Sequence, residues 1–274
     1  MKISLKPRLL VLLTAIAVGS LASAQTLTIA MSAQPDTLDP QVTAATAAFQ
    51  VTKSIYDGLV EVDQSGNIVP ALAKSYSVSN DGLSYTFVLN DATFHDGTAL
   101  DAQDVVATLD RIRDEATGSS KRSEFASITS VTAVDDHTVT IALSQTSPAL
   151  LASLASGWGA ILPSEKLAEG HDFGNQPIGT GPFKLVSWVR DNAITLERND
   201  SYYQGAPALQ QVVIRFVTDN AVQYQGLATG EFDIIDNVPQ AQQATVEADP
   251  ALTLVREPSG TVLVAALNAR NPYL

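Results

Sequence analysis

The chain contains no cysteine, which excludes disulfide staples and any zinc site built on thiolates. Its stability must therefore rest on an apolar core, which 45% hydrophobic residues can supply. Histidine is scarce too: His95, His137 and His171 stand too far apart for a metal-ligand motif, and His95 and His137 lie beside turn residues where a solvated ring is expected. Basic residues are outnumbered, 16 Lys and Arg against 29 Asp and Glu. That balance repels phosphate backbones and anionic bilayers, and argues against a nucleic-acid partner. The common catalytic signatures are missing as well: no G-x-S-x-G elbow, no Walker A loop and no H-E-x-x-H. Gly179-Thr180-Gly181 opens a dinucleotide fingerprint, but Lys184 holds the third glycine position and a strand follows where a helix is needed. The reading is of a protein that is not an enzyme and has no cofactor, no metal and no catalytic residue.

The N-terminus carries an address. Lys2, Lys6 and Arg8 precede the apolar run Leu9 to Leu13, continued by Ile16 to Val18, and Ala22-Ser23-Ala24 forms an A-x-A cleavage site before Gln25. The run is shorter than the ~20 residues of a spanning helix, so residues 1–24 read as a signal peptide. No cysteine follows for lipid attachment, and the expected location is periplasmic, without membrane insertion after cleavage. Cleavage would remove three basic residues and no acidic ones, leaving a formal net charge of −16.

Periodicity predicts irregularly interleaved strands and helices, an α+β fold with a mixed sheet. Leu27, Ile29 and Met31 alternate as a first strand, followed by a loop held by Pro35 and Pro40. Helices are expected over Thr46 to Leu59, with Gly58 near the C-cap, and from Asp101 onward, capped by Asp101 with Asp104 as the capping-box acid. Strands are expected at Leu83 to Leu89, in a hairpin from Val131 to Leu143, and in another pairing Phe183–Val189 with Ala193–Arg198 about Asp191-Asn192. Further on come a strand Val212–Val217, a helix capped by Asn220 and closed by Gly230, a buried strand Asp233-Ile234-Ile235, a helix Gln240–Ala248, and strands Leu252–Arg256 and Thr261–Leu267. Asp36, Asp39, Asp135 and Asp136 sit in turn sequences that explain them by local hydrogen bonds. Trp158, between two glycines, is read either as a ring presented to a ligand cleft or as a core residue.

Two segments carry a family resemblance. Phe94-His95-Asp96-Gly97-Thr98, running on to Asp101-Ala102-Gln103-Asp104-Val105, is the first. The second is Pro177-Ile178-Gly179-Thr180-Gly181-Pro182-Phe183, in which Gly179, Gly181 and Pro182 fix a turn. Pro35-Asp36-Thr37-Leu38-Asp39-Pro40, Ile55-Tyr56-Asp57-Gly58-Leu59 and Asp81-Gly82-Leu83-Ser84-Tyr85 stand around them in order. Together they resemble the peptide- and nickel-type extracellular solute-binding proteins, family 5, of ABC importers, over essentially Gln25 to Leu274.

The resemblance implies a periplasmic binding protein type II-like lobe one with an accessory subdomain, the second lobe missing. By it, residues 25–44 and 166–267 form the sheet-bearing part, 45–165 the accessory subdomain, and 268–274 the start of a linker to the absent lobe. The implied function is capture of a small solute, foremost a di- or oligopeptide, and delivery to ABC permease subunits. Gln34, Pro35, Asp36, Thr37 and Trp158 are the implied ligand-binding residues. The rival reading is a truncated or split-gene remnant that acts only through protein contacts or has no function.

Overall fold

A computed structural model describes residues 26–256. Its strands are β1 (Thr26–Met31), β2 (Val60–Val62), β3 (Ile68–Pro70), β4 (Ala73–Val78), β5 (Ser84–Leu89), β6 (Ile128–Asp135), β7 (Thr138–Leu143), β8 (Phe183–Val189), β9 (Ala193–Arg198), β10 (Gln211–Phe216) and β11 (Ile234–Ile235). Its helices are α1 (Thr46–Thr52), α2 (Ala102–Arg113), α3 (Leu150–Leu154), α4 (Ser164–Ala168), α5 (Asn220–Thr229) and α6 (Gln240–Ala248).

Alternation builds the four-stranded antiparallel sheet β4-β5-β7-β6. Tyr85, Phe87 and Leu89 of β5 are buried, and Tyr85 and Phe87 stand opposite Ile141 and Val139 of β7. Helix α2 lays Val105, Leu109 and Ile112 into the same core. Its start is a capping box: the Asp101 carboxylate accepts the Gln103 and Asp104 N–H groups, and Asp104 reaches back to the Asp101 N–H at 2.9 Å.

The second sheet has five strands in the order β11-β1-β10-β9-β8. Here β1 runs parallel to both β10 and β11, whereas β8, β9 and β10 are joined antiparallel. The sheet is therefore mixed, as the irregular order of elements predicts. The β8–β9 hairpin has the predicted bounds. Ile194, Leu196 and Ile214 face a core shared with Leu38, Val51, Ile55, Tyr56, Leu162 and Phe173. Residues of α1 thus pack under the five-stranded sheet and not the four-stranded one.

Several expectations need correction. Helix α1 stops at Thr52 instead of Leu59, because the next carbonyls are taken elsewhere: Ser54 O accepts Phe183 N–H and Ile55 O accepts Gly181 N–H, both at 2.9 Å. Gly58 accordingly caps nothing and bridges to Ala160. The cap of α5 is Asp219, whose side chain accepts from the Ala221 and Val222 N–H groups, not Asn220; Gly230 does close it, at φ +77°. β11 lies at a sheet edge and Ile234 is 47% exposed, so it is not buried. Leu252–Arg256 forms no strand; Arg256 turns back to Glu247 and Gln243 of α6. The predicted strand Thr261–Leu267 lies outside the described residues.

His95 is not solvated. Its backbone N–H donates to Gly179 O at 2.8 Å and its ring Nε2 lies 3.0 Å from Gly181 O. The two signature segments therefore touch. Gly179 and Gly181 are required there for closeness and not for left-handed φ, which neither has. A Cβ on Gly179 would stand 2.1 Å from Ile55 O, and one on Gly181 2.6 Å from Ile55 C.

Candidate functional site

Because β11, β1 and β10 are parallel, their C-terminal ends open on one edge of the sheet. In open sheets with parallel strands, ligands meet the loops that leave such an edge. Here those loops are Ser32 to Pro40 after β1, Val217 to Asp219 after β10, and Asp236-Asn237 after β11. The β8–β9 turn reaches the same edge, since Asn192 O accepts Phe216 N–H at 2.9 Å.

The edge is knitted by polar contacts between loops. The Asp236 carboxylate accepts both the N–H and the hydroxyl of Ser32, at 2.8 and 2.7 Å. Gln34 forms a reciprocal pair with Asp191: its Nε2 donates to the carboxylate, and its Oε1 accepts the Asp191 N–H at 3.1 Å. Asp191 adopts φ +60°, the left-handed conformation that Asp tolerates better than most residues. Beside it Arg190 stacks 3.3 Å over the Trp188 ring and donates to Asp36 O at 3.2 Å and to Asn175 Oδ1 at 2.9 Å.

Of the residues the resemblance implied, Gln34, Asp36 and Thr37 lie along this loop. Asp36 is exposed, and its carboxylate accepts the Thr37 N–H and the Thr43 hydroxyl at 2.9 and 2.7 Å. Pro35 is buried beneath the loop. Trp158 is half-buried, donates Nε1–H to Thr43 O at 2.9 Å, meets Phe49 edge-on at 4.6 Å, and carries the Lys121 ammonium over its ring at 4.8 Å. It joins the far end of the same loop. The Gly179–Pro182 turn stands apart, packed on Ser54 and Ile55.

Sequence reasoning missed Ser32, Arg190, Asp191 and Asp236 as parts of the edge. Asp191 was visible as a turn residue, but nothing local tells that its partner is Gln34. Exposed carboxylates at Asp36, Asp191, Asp219 and Asp236 make the rim acidic, suited to a ligand that brings hydrogen-bond donors. Among the described residues no cluster of His, Asp and Glu is arranged to hold a metal ion.

A separate cleft of about 200 Å³ is lined by Thr52, Tyr56, Asp57, Glu61 and Gly157 among others, and by none of the five implied residues. Burial raises the Asp57 carboxyl to about 6, countered by the Thr180 hydroxyl, which donates to it at 3.2 Å. This group also steadies the Gly179–Pro182 turn through Thr180, so its perturbation has a structural cause.

Comparison with known proteins gives this geometry a context. The model of the bacterial extracellular solute-binding proteins, family 5 (middle region) matches residues 67–274. The glutathione-binding protein GsiB of Escherichia coli O1:K1 is 33% identical over 249 residues, 90% of this chain and 49% of that protein. Among solved structures, the binding protein AgaA from A. tumefaciens R10, in complex with agropinic acid, superposes with a TM-score of 0.79 at 39% identity, covering 82% of this chain and 46% of that one. DppA from Helicobacter pylori, in complex with the peptide STSA, gives 0.77 at 28% identity, covering 82% and 49%. The chain spans about half the length of the curated relatives it matches. Among the described residues no helix is long and apolar enough to cross a membrane. By sequence and by fold, this chain belongs to the family 5 bacterial extracellular solute-binding proteins.

Proposed function

We propose that this chain forms one lobe of the periplasmic substrate-binding component of a peptide-type ABC importer. It captures a small solute, a di- or oligopeptide, for delivery to the permease subunits. The observation that carries this reading is the loop Ser32–Thr37, fixed at the C-terminal edge of three parallel strands with Asp36 outward. Gln34, Asp36 and Thr37 supply amide, carboxylate and hydroxyl groups for an extended ligand, and Trp158 closes the far end. An extended peptide can pair with backbone groups there, so shape is read without a fixed side-chain sequence. The names of GsiB and DppA, a glutathione-binding protein and a protein solved with a peptide, support the same class of solute. In this reading residues 1–24 direct export, 25–44 with 166–267 form the sheet-bearing part, and 45–165 the accessory subdomain, whose first helix, α1, nonetheless packs against the five-stranded sheet.

The test is an NMR titration of ¹⁵N-labelled residues 25–274 with glutathione and with a pool of di- to tetrapeptides. At ~10 mM ligand, enough to populate a complex of millimolar affinity, shifts should be confined to amides of 32–37, 190–192, 217–219 and 236–237. Shifts confined to other surfaces, or none at all, would overturn the proposal.

A further inference from the structure

Helix α2 carries two stripes. Val105, Leu109 and Ile112 are its apolar one, buried in the core of the four-stranded sheet. Asp104, Thr108 and Arg111 follow at helical spacing and form a polar one. All three reach across to segments of the other sheet's side. Asp104 accepts the Ser164 N–H at 2.7 Å, and the Thr108 hydroxyl accepts Leu162 N–H at 2.9 Å.

Arg111 makes the densest of these contacts. Its Nη1 and Nη2 form a fork on the Asp39 carboxylate at 3.1 and 2.6 Å, and Nη1 also donates to Gln41 Oε1 at 2.9 Å. Its guanidinium carbon lies 6.0 Å from the Phe173 ring centroid. The partners are enclosed: Asp39 is 7% exposed and Gln41 is fully buried. Gln41 returns to the same helix, donating Nε2–H to Thr108 O at 2.9 Å, and its own N–H donates to Asp39 Oδ1 at 3.0 Å. Two residues on, Thr43 holds the Asp36 carboxylate through its hydroxyl and Trp158 through its carbonyl. A continuous chain of contacts thus runs from α2 through Asp39, Gln41 and Thr43 to Asp36. The Tyr56 phenol sits close enough to feel this pair: burial first, then the charge of Asp39, holds it well above the usual tyrosine value, with Arg111 acting the other way.

We propose that Arg111 is a positioning residue for solute binding: it locks the segment Asp36–Thr43 and thereby sets the place of Asp36 at the sheet edge. This rests on the solute-binding reading above for its functional consequence, but not for the loop itself. A planar fork that spans Asp39 and Gln41 at once is something an ammonium cannot reproduce. Removing the guanidinium leaves Asp39 as a buried carboxylate without its cation, and the segment must open to solvate it.

The experiment is hydrogen exchange on residues 25–274, read amide by amide, for the wild type, Arg111→Met and Arg111→Lys. In Arg111→Met, protection at Leu38, Gln41 and Thr43 should fall by about tenfold or more, while β5 and β7 amides keep theirs. Arg111→Lys should restore Leu38, through the retained charge beside Asp39, and leave Gln41 and Thr43 fast. If Arg111→Met does not fold, the comparison of Arg111→Lys with wild type still decides the matter. Unchanged protection across 38–43 in a folded variant overturns the proposal, as does a loss spread evenly over both sheets. Glutathione and the same di- to tetrapeptide pool, titrated against these samples, separate the two readings. Wild-type shifts that weaken in the variants support the functional role, whereas equal shifts in all three refute it. Absence of shifts in the wild type refutes solute binding at this edge and leaves the exchange result to decide the loop.

Discussion

The Gly179–Pro182 turn is contacted by two titrating groups whose pH responses oppose each other. The His95 ring contacts Gly181 O through Nε2, its backbone N–H donates to Gly179 O, and Asp57 accepts the Thr180 hydroxyl. Burial lowers His95 from 6.5 to about 4, with the Gly181 contact partly offsetting it. Burial raises Asp57 from 3.8 to about 6. The unfolded chain therefore binds more protons at His95 between those values, and stability from this residue is lost as pH falls from about 6.5 towards 4. At Asp57 the folded chain binds more protons, so its contribution is lost as pH rises from about 4 to about 6. Between about pH 7 and pH 4.5, integration gives a loss of about 2 kcal/mol from His95 and a gain of about 2 kcal/mol from Asp57. In the wild type the two nearly cancel.

Single variants should unmask them. Urea unfolding followed by circular dichroism, at about pH 7, 5.5 and 4.5, gives the stability of wild type, His95→Gln and Asp57→Asn. Acidification should leave His95→Gln gaining about 2 kcal/mol on the wild type, and Asp57→Asn losing about as much. The comparison across pH within each variant matters, since each substitution also changes stability at neutral pH. If both variants run parallel to the wild type at all three values, neither group is perturbed by burial and the account of the turn is wrong.

Gly179→Ala should cost about 3 kcal/mol by forcing a Cβ against Ile55 O, well beyond Gly66→Ala, which meets nothing within 4 Å and bears only its φ of +82°. With a melting point falling about 2–4 °C per kcal/mol in a domain of this size, calorimetry separates the two, and equal shifts would show that Ile55 yields freely. Asp101→Ala removes the capping box of α2 and should cost about 1 kcal/mol in denaturant unfolding. No change there would mean that packing of Val105, Leu109 and Ile112 alone sets the start of the helix.

Much of this fold was legible because its signals are local. The β8–β9 hairpin is written in the alternation of its strands and in Asp191-Asn192, and the α2 start in Asp101 and Asp104. What local pattern could not supply is competition for backbone groups. From Thr46 to Leu59 the apolar spacing is helical, and Val51, Ile55 and Leu59 are indeed all buried. Yet the carbonyls of Ser54 and Ile55 bond to a turn that lies far along the chain, and the helix ends early. His95 was misread for the same reason: its neighbours spell a turn, and only the fold brings Gly179 and Gly181 against it. Family resemblance named both segments without revealing that they touch.

The site was less legible than the fold, since its defining contacts join charges with no periodicity. Gln34 finds Asp191, Ser32 finds Asp236, and Asp39 finds Arg111, each across a long stretch of sequence. Turn chemistry accounts for Asp36 and Asp39 only in part: each does accept a nearby N–H, but the same Asp36 oxygen also takes the Thr43 hydroxyl, and Asp39 takes the Arg111 guanidinium. This division has a consequence for binding. A loop whose carboxylates were satisfied only locally would keep its own shape and drift as a unit on the sheet. One tied to α2, to Trp158 and to the β8–β9 turn has its position fixed before a ligand arrives, and little ordering entropy is left to oppose capture. Affinity at this edge should therefore respond to Arg111, which no extended solute need touch, as well as to Asp36, which faces outward.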